Sequence, residues 1–173
     1  MWSRRNILTG LAGYAALSGL GGCGFRPLYG KANGIDLSDT LASVEIGPIK
    51  DRVGQQIRNA LLDGLSPRGA MAVQRYRLNV EASEGVASLA VQKSADATRA
   101  DLSLSASYNL YDLETGLNLY NGTSRAISSF NILNSEFATL MAEKGARDRA
   151  VKQLSDDIRL KVAIFLKNYQ GKG

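Results

Sequence analysis

At 173 residues, 45% hydrophobic and 21% charged, the chain has the size of one domain and ordinary globular usage, which excludes a disordered or low-complexity polypeptide. It contains one cysteine and no histidine, so an intramolecular disulfide, a Cys/His metal site and the commonest general base are excluded. The net charge of +5 leans toward an anionic partner such as a phosphorylated lipid, a membrane surface or nucleic acid, although a solvated surface carries such a charge equally well.

Arg4 and Arg5 form a basic start, and an uncharged apolar stretch follows from Ile7 to Leu20. At about 14 residues it is too short for a bilayer span of about 20, and it has the length of a signal-peptide core. It ends in Leu20-Gly21-Gly22-Cys23: an aliphatic residue, two small ones, then the cysteine. This order is a lipobox, in which the thiol is alkylated with diacylglycerol, the chain is cut before Cys23, and the new amino group is acylated. Three acyl chains, at about 0.8 kcal/mol per buried methylene, hold a protein on a membrane effectively permanently. The competing reading is a buried structural cysteine behind an ordinary export signal.

Residues 1–22 are therefore expected to be a lipoprotein signal peptide, and Cys23 the lipidation site. No cofactor is expected beyond its covalent acyl chains. Loss of Arg4 and Arg5 lowers the charge from +5 to +3, which weakens the case for nucleic acid, and none is expected as a partner. Gly24 stands where an Asp would resemble an inner-membrane retention signal. The expected location is thus the outer membrane, lipid-anchored on its periplasmic face. "SRRNIL" (Ser3–Leu8) also resembles a twin-arginine signal, so both export routes fit.

Residues 23–40 are rich in Gly, Pro, Asn and Asp without periodicity and read as a lipidated tether. A single domain is expected over 41–170. It opens with a short strand within Leu41–Ile49, stopped at Gly47-Pro48. Asp51 can cap a helix over Arg52–Leu65, whose Val53, Ile57, Ala60, Leu61 and Leu65 share a face. Tyr76, Leu78, Val80 and Ala82 then alternate with Arg75, Arg77, Asn79 and Glu81, the pattern of a half-buried strand. The phase flips at Glu84-Gly85 toward Ala87, Leu89 and Val91, which predicts a β-bulge or a tight hairpin. A turn is expected at Lys93–Ala97.

Leu102, Leu104, Ala106, Tyr108 and Leu110 mark the clearest strand, and "DLETG" (Asp112–Gly116) a hairpin loop. Leu117–Ile127 returns as a strand broken at Asn121-Gly122. Behind a cap at Asn134 or Ser135, a helix is predicted from Glu136 to about Lys167. Unbroken it would run roughly 48 Å, more than a small sheet needs, so a break or bend is expected at Gly145. The order β-α-β-β-β-α predicts an α+β two-layer sandwich, with two helices packed on one face of a mostly antiparallel four-stranded sheet.

Catalytic chemistry is hard to place. No G-x-S-x-G elbow occurs, strand alternation explains Ser103, Ser105 and Ser107, and Asp156-Asp157 suits a solvated face. No metal-ligand spacing appears, and no enzyme is expected. Cations remain: Arg75, Arg77, Lys93 and Arg99 along or between strands, and Lys144 and Arg147 near the expected helix break. They could pair with phosphates or simply solubilise the strand faces. Tyr76, Tyr108, Tyr111 and Tyr120 read as core or edge packing.

"CGFRPLYG" (Cys23–Gly30) behind a lipobox resembles the mature start of the lipopolysaccharide-assembly lipoprotein family LptE, in its alphaproteobacterial form. "TRADLSLSASYNLYDLETG" (Thr98–Gly116) and "SEFATLMAEKGARDRAVKQLSDDIRLKV" (Ser135–Val162) are similar to its strand-turn and C-terminal helix pattern. The resemblance implies a non-enzymatic outer-membrane lipoprotein acylated at Cys23. It would plug the LptD β-barrel, assist that barrel's assembly, and help insert lipopolysaccharide into the outer leaflet. Arg75, Arg77, Lys93, Arg99 and Lys144 are then the candidate lipopolysaccharide contacts. The rival expectation is an envelope lipoprotein with a structural or ligand-binding role and no barrel partner. A soluble exported enzyme with an incidental Cys23 is a third.

Overall fold

The computed structural model describes residues 37–66, 73–89 and 98–170. The expected signal peptide, Cys23, Lys93 and the expected turn at Lys93–Ala97 lie outside the described residues. In chain order the elements are α1 (Leu37–Ala42), β1 (Val44–Ile46), α2 (Asp51–Leu65), β2 (Tyr76–Leu89), β3 (Thr98–Asp112), β4 (Asn118–Ile132) and α3 (Glu136–Gln170). The strands form one sheet in the order β1-β2-β3-β4. β1 and β2 are parallel and joined through α2; β2, β3 and β4 form an antiparallel meander. The fold is the expected two-layer α+β sandwich. Residues 37–40, read from sequence as the end of the tether, instead open the short helix α1, which buries Leu37, Thr40 and Leu41.

Period-two alternation separates the two sheet faces. Leu78 and Val80 of β2, Leu102, Leu104, Ala106, Tyr108 and Leu110 of β3, and Ala126 and Phe130 of β4 are buried. Between them Arg77, Asn79, Ser107 and Arg125 are exposed on the opposite face. Over the buried face α3 packs on β3 and β4, and α2 lies beside α3. Ile57, Leu61 and Leu65 of α2 and Leu154, Ile158, Val162 and Leu166 of α3 are all buried where the two helices and the sheet pack together. Each such aliphatic side chain contributes roughly 1.5–3 kcal/mol when fully buried.

Local chemistry explains the connections. In "DLETG" the Asp112 carboxylate accepts the backbone N–H of Glu114 at 2.8 Å and of Thr115 at 3.1 Å. Gly116 takes φ +71, the left-handed region that only glycine enters freely. α2 begins differently from expectation. Asp51 does not cap it but forms its first residue at φ +67, and the N-cap Lys50 offers no side-chain bond.

Three strand and helix expectations need correction. β2 has no bulge at Glu84-Gly85, because its register with β3 is continuous from Tyr76↔Asp112 to Leu89↔Arg99. The flip arises because Glu84 occupies a helix-side position and meets Arg147 of α3 there. The sheet's irregularity falls instead between Leu110 and Tyr111, opposite the start of β4. β4 is not broken at Asn121-Gly122 and continues to Ile132. The last helix is not broken at Gly145 either: it runs 35 residues, about 52 Å, in one piece. Its first turns overhang, with no buried residue from Glu136 to Gly145.

Candidate functional site

The candidate cations do not converge. Arg77 lies on the exposed sheet face and donates from Nε to Glu45 of β1 at 2.9 Å. Arg75, just before β2, places its guanidinium 5.7 Å from the centre of the Tyr76 ring. Arg99 is on the same sheet face as Arg77 but at the far end of β3, opposite Asn131. Arg77 pairs with Tyr111, so Arg77 and Arg99 are separated by about 40 Å of strand. Lys144 belongs to the helix layer and bridges Asp148 at 3.0 Å. Lys93 lies outside the described residues. The expectation of core or edge packing holds for three of the four tyrosines: Tyr76 and Tyr108 are buried core residues, and Tyr120 on the edge strand stacks on Phe165.

Two other groupings are assembled by the fold. The first joins sheet to helix. Arg147 donates to both carboxylate oxygens of Glu84 at 2.8 Å and to Glu143 at 2.6 Å. The Glu84 hydrogen bonds hold its guanidinium proton above the usual arginine range. This fork floors a cleft of about 420 Å³ between the start of α2 and the overhang of α3, which Arg52, Val53, Leu140 and Met141 also line. Beside it Phe137 is 71% and Leu140 59% exposed, an apolar stripe on the overhang.

The second grouping borders an open depression of about 640 Å³ near β4, lined among others by Glu81, Ser107, Thr123, Arg125, Asp157 and Lys161. Lys161 bridges Asp157 at 2.8 Å and donates to the Thr123 carbonyl at 2.9 Å. Its pKa is raised, chiefly by the Asp157 hydrogen bond. Burial opposes charge on Asp157, yet hydrogen bonds from Lys161 and Ser124 outweigh it and hold the carboxyl below its ordinary value. Tyr108, packed close by, is pushed up by burial.

Neither grouping contains a nucleophile with an adjacent base. Among the described residues no set of three or more acidic side chains is placed to hold a metal ion. No described helix is long and apolar enough to cross a membrane. Sequence reading missed Glu84, Asp157 and Lys161. Glu84 left a signal, since a carboxylate in the core phase of a strand demands a cation opposite. Lys161 left none, because only the packing of α3 brings it to β4.

The comparisons agree with the architecture. The family model "LptE: Lipopolysaccharide-assembly" matches residues 40–162. No match was found among the curated proteins. A Caulobacter crescentus CB15 crystal structure described as a lipoprotein is 22% identical, with a TM-score of 0.61 over 76% of this chain and 96% of that one. Rare lipoprotein B of Shewanella oneidensis is 10% identical, with a TM-score of 0.55 over 73% and 98%. A minor lipoprotein of Acinetobacter baumannii is 17% identical, with a TM-score of 0.50 over 70% and 91%. At these identities the structures speak for the fold, whereas the family match spans most of the domain. The chain belongs to the LptE family of lipopolysaccharide-assembly lipoproteins.

Proposed function

We propose that this protein is an outer-membrane lipoprotein, anchored by acyl chains on Cys23, that complexes with the LptD β-barrel as a plug. In that position it assists assembly of the barrel and insertion of lipopolysaccharide into the outer leaflet. Family membership is one support. The observation that carries the reading is the uncovered sheet face. Asn79, Asn109 and Asn121 pair across it in one row, and Glu81, Ser107 and Thr123 in the next. A broad surface of mainly polar side chains suits the water-lined lumen of a barrel, where an apolar face would be penalised.

On this reading Arg75, Arg77, Lys93, Arg99 and Lys144 remain candidate contacts for the lipopolysaccharide phosphates, acting as separate points rather than as one pocket. A photo-crosslinking residue at Ser107, in the middle of that face, tests the proposal in cells. A covalent adduct with the barrel supports it. Absence of any barrel adduct from Ser107, Thr123 or Asn109, in protein that is folded and membrane-bound, contradicts it.

A further inference from the structure

β4 closes one side of the sheet, and among the described residues only β3 pairs with it. An edge strand of 15 residues invites another chain unless something guards it. In an antiparallel pair, alternate residues turn their main-chain groups away from the partner strand. Thr123 and Ser129 are two such residues, and α3 holds both of their carbonyls. Lys161 Nζ donates to Thr123 at 2.9 Å, and Arg149 Nη2 to Ser129 at 3.2 Å. The same side chains also reach the Ser124 and Ser128 hydroxyls, at 3.3 and 3.2 Å.

The two clasps come from one ridge of α3. Arg149, Gln153, Asp157, Lys161 and Phe165 follow at four-residue steps, and Phe165 stacks on Tyr120 of β4 at 4.9 Å. From Arg149 to Lys161 the helix rises about 18 Å; from Thr123 to Ser129 the strand spans about 20 Å. The spacings match, so each cation meets its own carbonyl. Between the clasps, Arg125 and Ile127 share the outward parity, and among the described residues no side chain bonds their main-chain groups.

We propose that Arg149 and Lys161 are the gatekeepers of a latent self-association surface, the β4 edge, whose occupant would be β4 of a second copy of this chain. The clasps are symmetric about Ala126. Antiparallel pairing about a two-fold axis there sets Arg125 against Ile127 and Thr123 against Ser129 of the second copy. It also sets Lys161 against Arg149 at both ends, two like charges facing each other over carbonyls already in use. What stays open is the stretch from Arg125 to Ile127, at the lower limit of strand length and too short for independent stability. The edge is thus guarded in the one register where two copies fit best.

The test is sedimentation of the full-length lipoprotein in detergent, free of other proteins. The parent protein is expected to be monomeric. The double variant Arg149→Gln/Lys161→Gln should dimerise at least about tenfold more tightly. Arg149→Glu alone keeps the Lys161 clasp, turns both repulsive contacts into attractive ones, and should dimerise too; it serves if the double variant does not fold. Adding Arg125→Cys and Ile127→Cys to either variant should give a disulfide-linked dimer on oxidation. A folded variant that stays monomeric overturns the proposal. So does an open-ended oligomer series, or a dimer that the paired cysteines fail to link.

Discussion

The Tyr108 ring lies across Gly122, its cross-strand partner on β4, so closely that a Cβ at position 122 would overlap the Tyr108 Cζ, Cε2 and hydroxyl oxygen. A glycine that reads in sequence as a strand breaker is the seat of one of the two fully buried tyrosines of the sheet. The ring replaces the packing that glycine lacks, and Tyr108 is 1% exposed as a result. Gly122→Ala should therefore destabilise the domain by about 1–3 kcal/mol through overpacking. Urea unfolding followed by circular dichroism measures this, with a shifted midpoint and an unchanged slope as the expected form.

Gly145 carries the opposite prediction. It sits inside an unbroken helix, and a Cβ there would meet only the Arg149 guanidinium at an ordinary 3.5 Å. Gly145→Ala should stabilise the protein by about 0.5–1 kcal/mol, because alanine loses less conformational freedom on entering a helix. A thermal melt showing no gain, or a loss, would mean that the glycine bends the helix in solution.

These two glycines show where sequence reading reaches its limit. The strand of Leu102, Leu104, Ala106, Tyr108 and Leu110 was legible because one sheet face is dry and the other wet. The helix Asp51–Leu65 and the Asp112–Gly116 turn were legible from local chemistry. Breaks at Gly122 and Gly145 were expected because propensity is local. What overrides it is tertiary: a ring from β3 in one case, and the packing of α3 from Ala146 onward in the other. The phase flip at Glu84 misled for the same reason, since its partner Arg147 is 63 residues away. Of the candidate cations, their presence was legible and their dispersal over both layers was not.

The Glu84–Arg147 fork should behave as a coupled pair. Both side chains are about 22–23% exposed, sheltered enough for the bond to outlast salt screening. Arg147→Ala should cost about 1–3 kcal/mol and leave two carboxylates facing each other. A double-mutant cycle with Glu84→Gln should return a coupling energy of about 1 kcal/mol. A coupling near zero would reduce the fork to a surface ion pair.

Stability should fall in acid. Backbone hydrogen bonds from the loop, foremost that from Thr115, hold the Asp112 carboxyl below its ordinary value. Asp157 is depressed as well, by Lys161 and Ser124 against the cost of burial. A depressed folded-state pKa means that the contribution is complete above the ordinary aspartate value of about 3.9 and is lost as pH drops through the lower, folded value. Melting temperatures taken from pH 6 downward should decline in that window, and Asp112→Asn with Asp157→Asn should flatten the decline. A slope unchanged by both substitutions would assign the acid sensitivity to other groups.

The most direct measurement is the stoichiometry of the tagged lipoprotein purified from membranes in mild detergent, beside a Cys23→Ala control. A large β-barrel should be recovered in equal amount with the acylated protein, and less of both in the membrane fraction of the control. Recovery of the acylated lipoprotein alone, folded and with no barrel, would contradict the proposed plug role.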